Sequence, residues 1–317
     1  MNPAVIGVSA ALGSAAAWAA GSIVFKKISE NVSPFGMTLT KGVASVCLLG
    51  LGLLVTGVGH IGWTPLGLLV ISGVIGIAIG DTLFFAALQR LGPFVLIVFL
   101  MLGQVLTAIL GIVLLRERPP LHVWMGILAT LTGITIVLAT RYRQDKGGNW
   151  AAGGRGLVLG AMFMVCMAVS SVVAKPAVAE KSRDAVAEKS LDPAAAERLH
   201  DPVPTLPATF IRMVAGTVGI LLFGAATGKV GEWVNPVRDR RVATLFLVGV
   251  SVVTFGGFWL SLVAIKNIPV AIASVLGAAE VLFVLPLAAI FLKERIRLVE
   301  IIGALVATGG VFVICRG

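Results

Sequence analysis

Four ionisable side chains, Lys41, Asp81, Arg212 and Glu280, stand inside stretches that are otherwise apolar. Charge at membrane depth is costly and tends to mark a pathway, so these four come first. Glu280 lies about eleven residues into the run 269–292, roughly 16 Å at 1.5 Å per residue, near the centre of a bilayer. A carboxyl there could exchange a proton during a cycle, or join two helices as a neutral acid. Lys41 stands about five residues into one apolar run, and Asp81 about seven before the end of the next. An antiparallel connection puts both on one side of the membrane, at depths that suit an ion pair. That pair reads equally as a static contact and as a gate or substrate clamp. Arg212 enters early in a run that starts from the opposite side. One basic residue near each mouth suits anionic or zwitterionic solutes, while snorkelling to the head groups would explain Lys41 and Arg212 without function.

The other reactive residue types form no constellation. His60, His122 and His200 are dispersed near loops or span ends with no metal spacing, and Cys47, Cys166 and Cys315 sit singly in apolar segments, as small core residues do. An intramembrane enzyme would need paired carboxylates, a His-containing cluster or a nucleophile with its base at matching depth. Asp81 and Glu280 are single acids far apart in sequence, so neither a metal nor a cofactor is implied.

These side chains need elements to hold them, and the composition says of what kind. Hydrophobic residues make up 58% of the 317, charged residues 13%, and the mean hydropathy is +1.02. A water-soluble fold could not cover so much apolar surface. Ten apolar runs follow one another, at about 4–25, 36–57, 66–88, 93–115, 121–140, 156–175, 207–227, 242–264, 269–292 and 298–315. Each is long enough for about 30 Å of hydrocarbon, and helix is the form that satisfies its own backbone there. The expectation is an all-α integral membrane protein with ten transmembrane helices. Gly76 and Gly80 put small residues on one helix face, where a neighbour can approach closely. The N-terminus lacks the basic start of a cleaved signal and reads as a retained first span. The net charge of +10 falls mostly in short loops facing lipid head groups. No basic stripe with interleaved aromatics suggests a nucleic-acid partner.

The chain contains the same membrane block twice. Residues 80–138 align without a gap to residues 257–315 at an offset of 177, set by Glu117 and Glu294. Gly80/Gly257, Leu83/Leu260, Ala87/Ala264, Arg118/Arg295, Gly126/Gly303 and Gly133/Gly310 are identical pairs. Internal repeats of this kind build secondary transporters, with a substrate site near the midplane where the halves meet. Arg116-Glu117-Arg118 and Lys293-Glu294-Arg295 stand at span ends, where a carboxylate can accept from the first N–H groups of the next helix, and read as fold determinants. Residues 1–145 form the first half, 146–155 a flexible basic linker, and 156–317 the second half. A polar insertion, 177–206, holds a tandem octapeptide (AVAEKSRD, AVAEKSLD) and reads as a solvated helical extension stopped near Pro193.

AAAWAAGSIVFKKISENVSP, TLTKGVASVCLLGLGLL and FFAALQRLGPFVLIVFLMLGQVLTAILGIVLLRERPPLHVWMGILATLTGI together resemble one EamA repeat. The drug/metabolite transporter superfamily carries that repeat twice, and the resemblance runs over nearly the whole chain. It implies two inverted five-helix halves and export of small metabolites or drugs without ATP hydrolysis. By family position, Trp18, Gln104, Trp259 and Ser274 would line a central cavity with Glu280. Lys41 stands where an Arg is usual, Arg212 keeps it, and the usual Glu-Pro of the fourth helix is Gly103-Gln104 in one half and Glu280-Val281 in the other. Position 258, the repeat partner of Asp81, is Phe.

Two signals disagree on orientation. The loops after spans 1, 3, 5, 7 and 9 hold more Lys and Arg than the others, which places both termini outside. The resemblance implies both termini in the cytoplasm. The resulting expectation is a secondary transporter in the cell (inner) membrane, working as a monomer by alternating access. It would export small polar metabolites such as amino acids, with proton coupling through Glu280 a further option. Drug efflux is the alternative.

Overall fold

With no water in a bilayer to satisfy backbone N–H and C=O groups, a spanning chain must bond to itself, and every described element here is helical. The computed structural model describes residues 2–29, 32–57, 59, 61–115, 120–144, 154–179, 202–234, 240–280, 282–283, 287 and 298–315. The elements in the first half are α1 (Pro3–Ser29), α2 (Pro34–Thr56), α3 (Trp63–Gly73), a π-helical segment (Val74–Asp81), α4 (Thr82–Leu114) and α5 (Leu121–Gln144). The second half has α6 (Gly154–Val178), α7 (Thr205–Thr227), a short α8 (Val230–Val234), α9 (Arg240–Ser251), a second π-helical segment (Val252–Trp259), α10 (Leu260–Asn267), α11 (Val270–Ala278) and α12 (Leu298–Cys315). Local sequence explains several ends. Ser33 Oγ accepts from Gly36 N at 3.1 Å with Pro34 in the first turn of α2, and Gly228, at φ 67°, closes α7 in the left-handed conformation.

Six helices among the described residues are long and apolar enough to cross a membrane, and shorter apolar helices add Leu102–Leu114, Trp124–Gly133 and Ile301–Gly310. This is a multi-pass membrane protein. The expected count of ten is not reached on described residues alone, because most of 281–297 lies outside them. The trios at 116–118 and 293–295, His60, His200, most of the linker and residues 180–201 of the insertion also lie outside.

The expected break between the third and fourth spans takes an unexpected form. The helical backbone runs through Gly92-Pro93 to Leu114, and a straight helix of that length would reach about 50 Å. Its neighbours show that the chain reverses. Along α6, Ser170 meets Ser72, Phe163 meets Phe84 and Gly156 meets Leu91. Gly160 then meets Phe99, and Met164 meets Gly103. The chain therefore runs antiparallel to α6 up to Leu91 and parallel to it from Phe99. Pro93, which has no N–H to give the helix, stands in the interval where the reversal occurs.

The two halves are related by an inverted pseudo-twofold axis. Helices α5 and α12 are repeat counterparts and pack antiparallel: Gly133 lies against Gly303 and Ala307, and Gly310 against Gly126 and Thr130. The offset of 177 maps each of these contacts onto the other. Thr130 and Ala307 are themselves counterparts, and Thr130 Oγ1 donates to Ala307 O at 3.4 Å. Counterparts that pack antiparallel across such an axis place it in the membrane plane, which inverts one half relative to the other. Contact this close needs glycine. A Cβ on Gly310 would fall 2.6 Å from Gly126 O, and one on Gly133 2.9 Å from Ala307 Cα.

The first helix of each half packs against the other half. Along α1, Gly7 meets Ile268, Ser14 meets Gly257 and Gly21 meets Val253, mirroring α6 on Leu91, Phe84 and Ser72. The main core is aromatic and sits at this exchange, with Phe25–Phe85 at 5.6 Å and Phe84–Phe163 at 5.3 Å. Leu54, Val55, Leu121, Leu128 and Leu305 are exposed, as residues facing lipid are.

Candidate functional site

The exchange of first helices leaves a space between the halves. One face of α1 supplies Ala11, Ser14, Ala15 and Trp18, at a helical spacing that keeps them together. Helix α4 supplies Phe99, Leu100, Gly103, Gln104 and Thr107, and α6 supplies Phe163, Met164, Met167 and Ser171. Ser261, Ala264 and Ile265 of α10, Ala273, Ser274 and Gly277 of α11, and Glu280 just beyond it close a cavity of about 110 Å³.

The lining is symmetric in position and asymmetric in chemistry. Leu100 and Gly277 are counterparts at the offset of 177, and so are Gly103 and Glu280. The Lys26/Lys175 match pairs Trp18 with Met167, Ser14 with Phe163 and Ala15 with Met164. Phe99 of α4 and Phe163, Met164 and Met167 of α6 form an apolar Met-Phe wall, broken on the same two helices by Gln104, Thr107 and Ser171, while Ser14, Ser261, Ser274 and Glu280 face it from α1, α10 and the α11 end. Glu280 is the one titratable side chain among the described lining residues. Its carboxyl makes no hydrogen bond or ion pair among the described residues and opens into the cavity. Gln104 packs its amide against Gly277, next to Ser274.

Lys41, Asp81 and Arg212 meet elsewhere, in a buried cluster beside this cavity. Lys41 and Asp81 form the ion pair that their depths suggest, and both are almost wholly buried. The Lys41 ammonium also lies 4.5 Å from the ring centre of Phe258 and 5.9 Å from those of Phe85 and Trp18. Trp18 meets Phe258 edge-on at 4.9 Å, so its ring separates the cluster from the cavity. Arg212 does not stand at a mouth of its own. It is buried, and Nη2 donates to Ser170 Oγ at 3.1 Å. Ser170 is tied in turn to Ser72, whose Oγ donates to Ser170 O at 2.8 Å. Arg212 Nη2 also lies 3.7 Å from the Cβ position of Gly76, on the π-helical segment that ends in Asp81, and Nε finds no partner among the described residues. Two buried cations thus lie near one buried anion, and the anion pairs with Lys41.

Of the eight residues picked from sequence, Trp18, Gln104, Ser274 and Glu280 line the cavity, and Lys41, Asp81 and Arg212 form the cluster. Trp259 does neither: it turns to α7, where Nε1 donates to Thr205 Oγ1 at 3.0 Å. Sequence reasoning missed Ser14, Thr107, Met164, Met167, Ser171 and Ser261, although the helical spacing around Trp18 points to Ser14. It also missed Phe258 as a partner of Lys41. The signal was present, since position 258 had been matched to Asp81.

A family model described as the EamA-like transporter family matches residues 5–139 and 190–316. A solved crystal structure of another protein superposes with a TM-score of 0.65 at 19% identity, covering 98% of this chain and 96% of its own. That likeness extends to the fold. No curated protein matches the chain by sequence.

Proposed function

This chain belongs to the EamA-like transporter family, and from that premise we propose that it exports small polar metabolites across the cell membrane as a secondary active transporter. The observation that carries this reading is the cavity on the pseudo-twofold axis, formed by both inverted halves and lined by one carboxyl, Glu280, that is unpaired among the described residues. Rocking the halves about that axis would open the same space to each side in turn. Glu280 takes the amine of a solute or a proton, the hydroxyls and the Gln104 amide bind its polar remainder, and the Met-Phe wall takes an apolar side chain. Amino acids and related amines have this chemistry. Competition between proton and amine for one carboxyl would couple their movements in opposite directions.

Size separates this from the alternative. Drug-sized ligands fill pockets of about 300–1,000 Å³, and this cavity holds about 110 Å³. The apolar wall favours drug efflux, but the volume favours a small metabolite. Both halves reside in one chain, so a monomer suffices.

The test is release of solute from cells expressing the chain, the Glu280→Gln variant or an empty vector, loaded with amino acids, amines and common drugs. Wild-type release of one small class, lost in Glu280→Gln at equal membrane expression, is the expected result. Release of large drugs alone moves the reading to drug efflux, and release unaffected by the substitution removes Glu280 from the mechanism.

A further inference from the structure

The buried cluster has a feature that the cavity does not use: one anion between two cations from opposite halves. Lys41 and Arg212 occupy the same place in their helices, since α2 and α7 are each 23 residues long and each basic residue is the eighth. Asp81 and Phe258 are counterparts at the offset of 177. Lys41 holds both of them, Asp81 from its own half as an ion pair and Phe258 from the other half at 4.5 Å from its ring centre.

Exchanging the conformations of two inverted halves produces the oppositely open state. Under that exchange the surroundings of Lys41 become those of Arg212, which then faces Phe258 from its own half and Asp81 from the other. We propose that Asp81 is a switching counter-ion, paired with Lys41 in the state seen here and with Arg212 in the oppositely facing state, with Phe258 passing from Lys41 to Arg212 alongside it.

Three observations support the move. Arg212 already packs on the segment that carries Asp81, with Nη2 3.7 Å from the Cβ position of Gly76. Its guanidinium is incompletely satisfied, with Nη2 on a serine hydroxyl and Nε unpaired among the described residues. Asp81 and Phe258 both ride at the ends of π-helical segments, Val74–Asp81 and Val252–Trp259. Such a segment holds one residue more per turn than an α-helix, and passing that residue along rotates its end by about 100°. A rotation of this kind would carry the Asp81 carboxylate from α2 towards α7. Lys41 and Arg212 are then positioning residues, each stabilising one state through Asp81.

This inference rests on the alternating-access reading above, and one experiment separates the two. The Ser274→Cys reporter lines the cavity, in a protein whose native Cys47, Cys166 and Cys315 are replaced by Ala. It is labelled with a membrane-impermeant maleimide from each face of sealed vesicles. Labelling from one face only, with or without solute, ends alternating access and the switch with it. Where the reporter labels from both faces, Lys41→Met should shift the labelling ratio by about tenfold towards one face and Arg212→Met towards the opposite face. Shifts in the same direction, or none, overturn the switch and leave transport standing. Should the Met variants fail to insert, Lys41→Arg and Arg212→Lys decide the matter. Arg pairs a carboxylate more firmly than Lys, so both should shift labelling towards the Lys41-paired state, and opposite shifts overturn the proposal.

Discussion

Removing one member of the buried cluster should cost different amounts depending on which member goes. Asp81→Asn leaves two buried cations without their shared anion, and breaking a buried pair this way costs about 3–5 kcal/mol. Lys41→Met is milder because Asp81 keeps a second buried cation, Arg212, packed on its own helical segment. Its cost should approach that of a lost hydrogen bond between charged groups, about 1.5–3 kcal/mol. The double variant Lys41→Met/Asp81→Asn removes one charge of each sign and leaves Arg212 on Ser170, so it should be more stable than Asp81→Asn alone. The coupling between the two sites should then be about 2 kcal/mol. Unfolding by SDS in mixed micelles, followed by tryptophan fluorescence, measures all three variants against the wild type. A gap of about 1.4 kcal/mol between the single variants is tenfold in the unfolding equilibrium and within reach of that assay. If Lys41→Met proves as costly as Asp81→Asn, Arg212 is not a second partner, and the account of two cations sharing one anion is refuted.

Other predictions address the cavity and the axis. Transport by the wild type should vary with pH, and Glu280→Gln should flatten the profile, because Glu280 is the one titratable side chain among the described lining residues. A profile that keeps its shape in the variant assigns the proton to another group. Gly103 and Glu280 are counterparts across the axis, so Gly103→Glu should restore part of the solute binding lost in Glu280→Gly, measured as solute-dependent thermal shift. No recovery at equal expression would deny that the cavity is functionally symmetric. Gly310→Val drives side-chain atoms into Gly126 and Thr130 and should destabilise by at least the 1–3 kcal/mol of an overpacked core, read by SDS unfolding. Trp259→Phe loses the bond to Thr205, worth about 0.5–1.5 kcal/mol. It should leave transport KM unchanged, since Trp259 stands outside the cavity.

The sequence alone determined the solvent, the helical class and the duplication. Hydrophobic runs of bilayer length leave helix as the backbone's solution, and a gapless offset of 177 is visible without coordinates. It also found the depth-dependent chemistry, since a charge inside an apolar run is conspicuous wherever the helices pack. The ion pair of Lys41 with Asp81 was legible for the same reason: a short antiparallel connection fixes relative depth. Rotation about the helix axis and the choice of neighbour were not legible. Those depend on which helices lie side by side, and here each half lends its first helix to the other. That exchange put Trp18 and Glu280 on one cavity, turned Trp259 away to Thr205, and buried Arg212 on Ser170 beside the segment that carries Asp81 instead of leaving it at a separate mouth. The π-helical segments were equally hidden, because apolar glycine-containing runs such as VIGIAIGD suit α-helix as well. What a single span fixes along its own axis could be read from residue order. What two spans fix between them, which is the cavity and the place of Arg212 beside the Lys41–Asp81 pair, was decided by tertiary packing, because facing and partner are properties of pairs of helices.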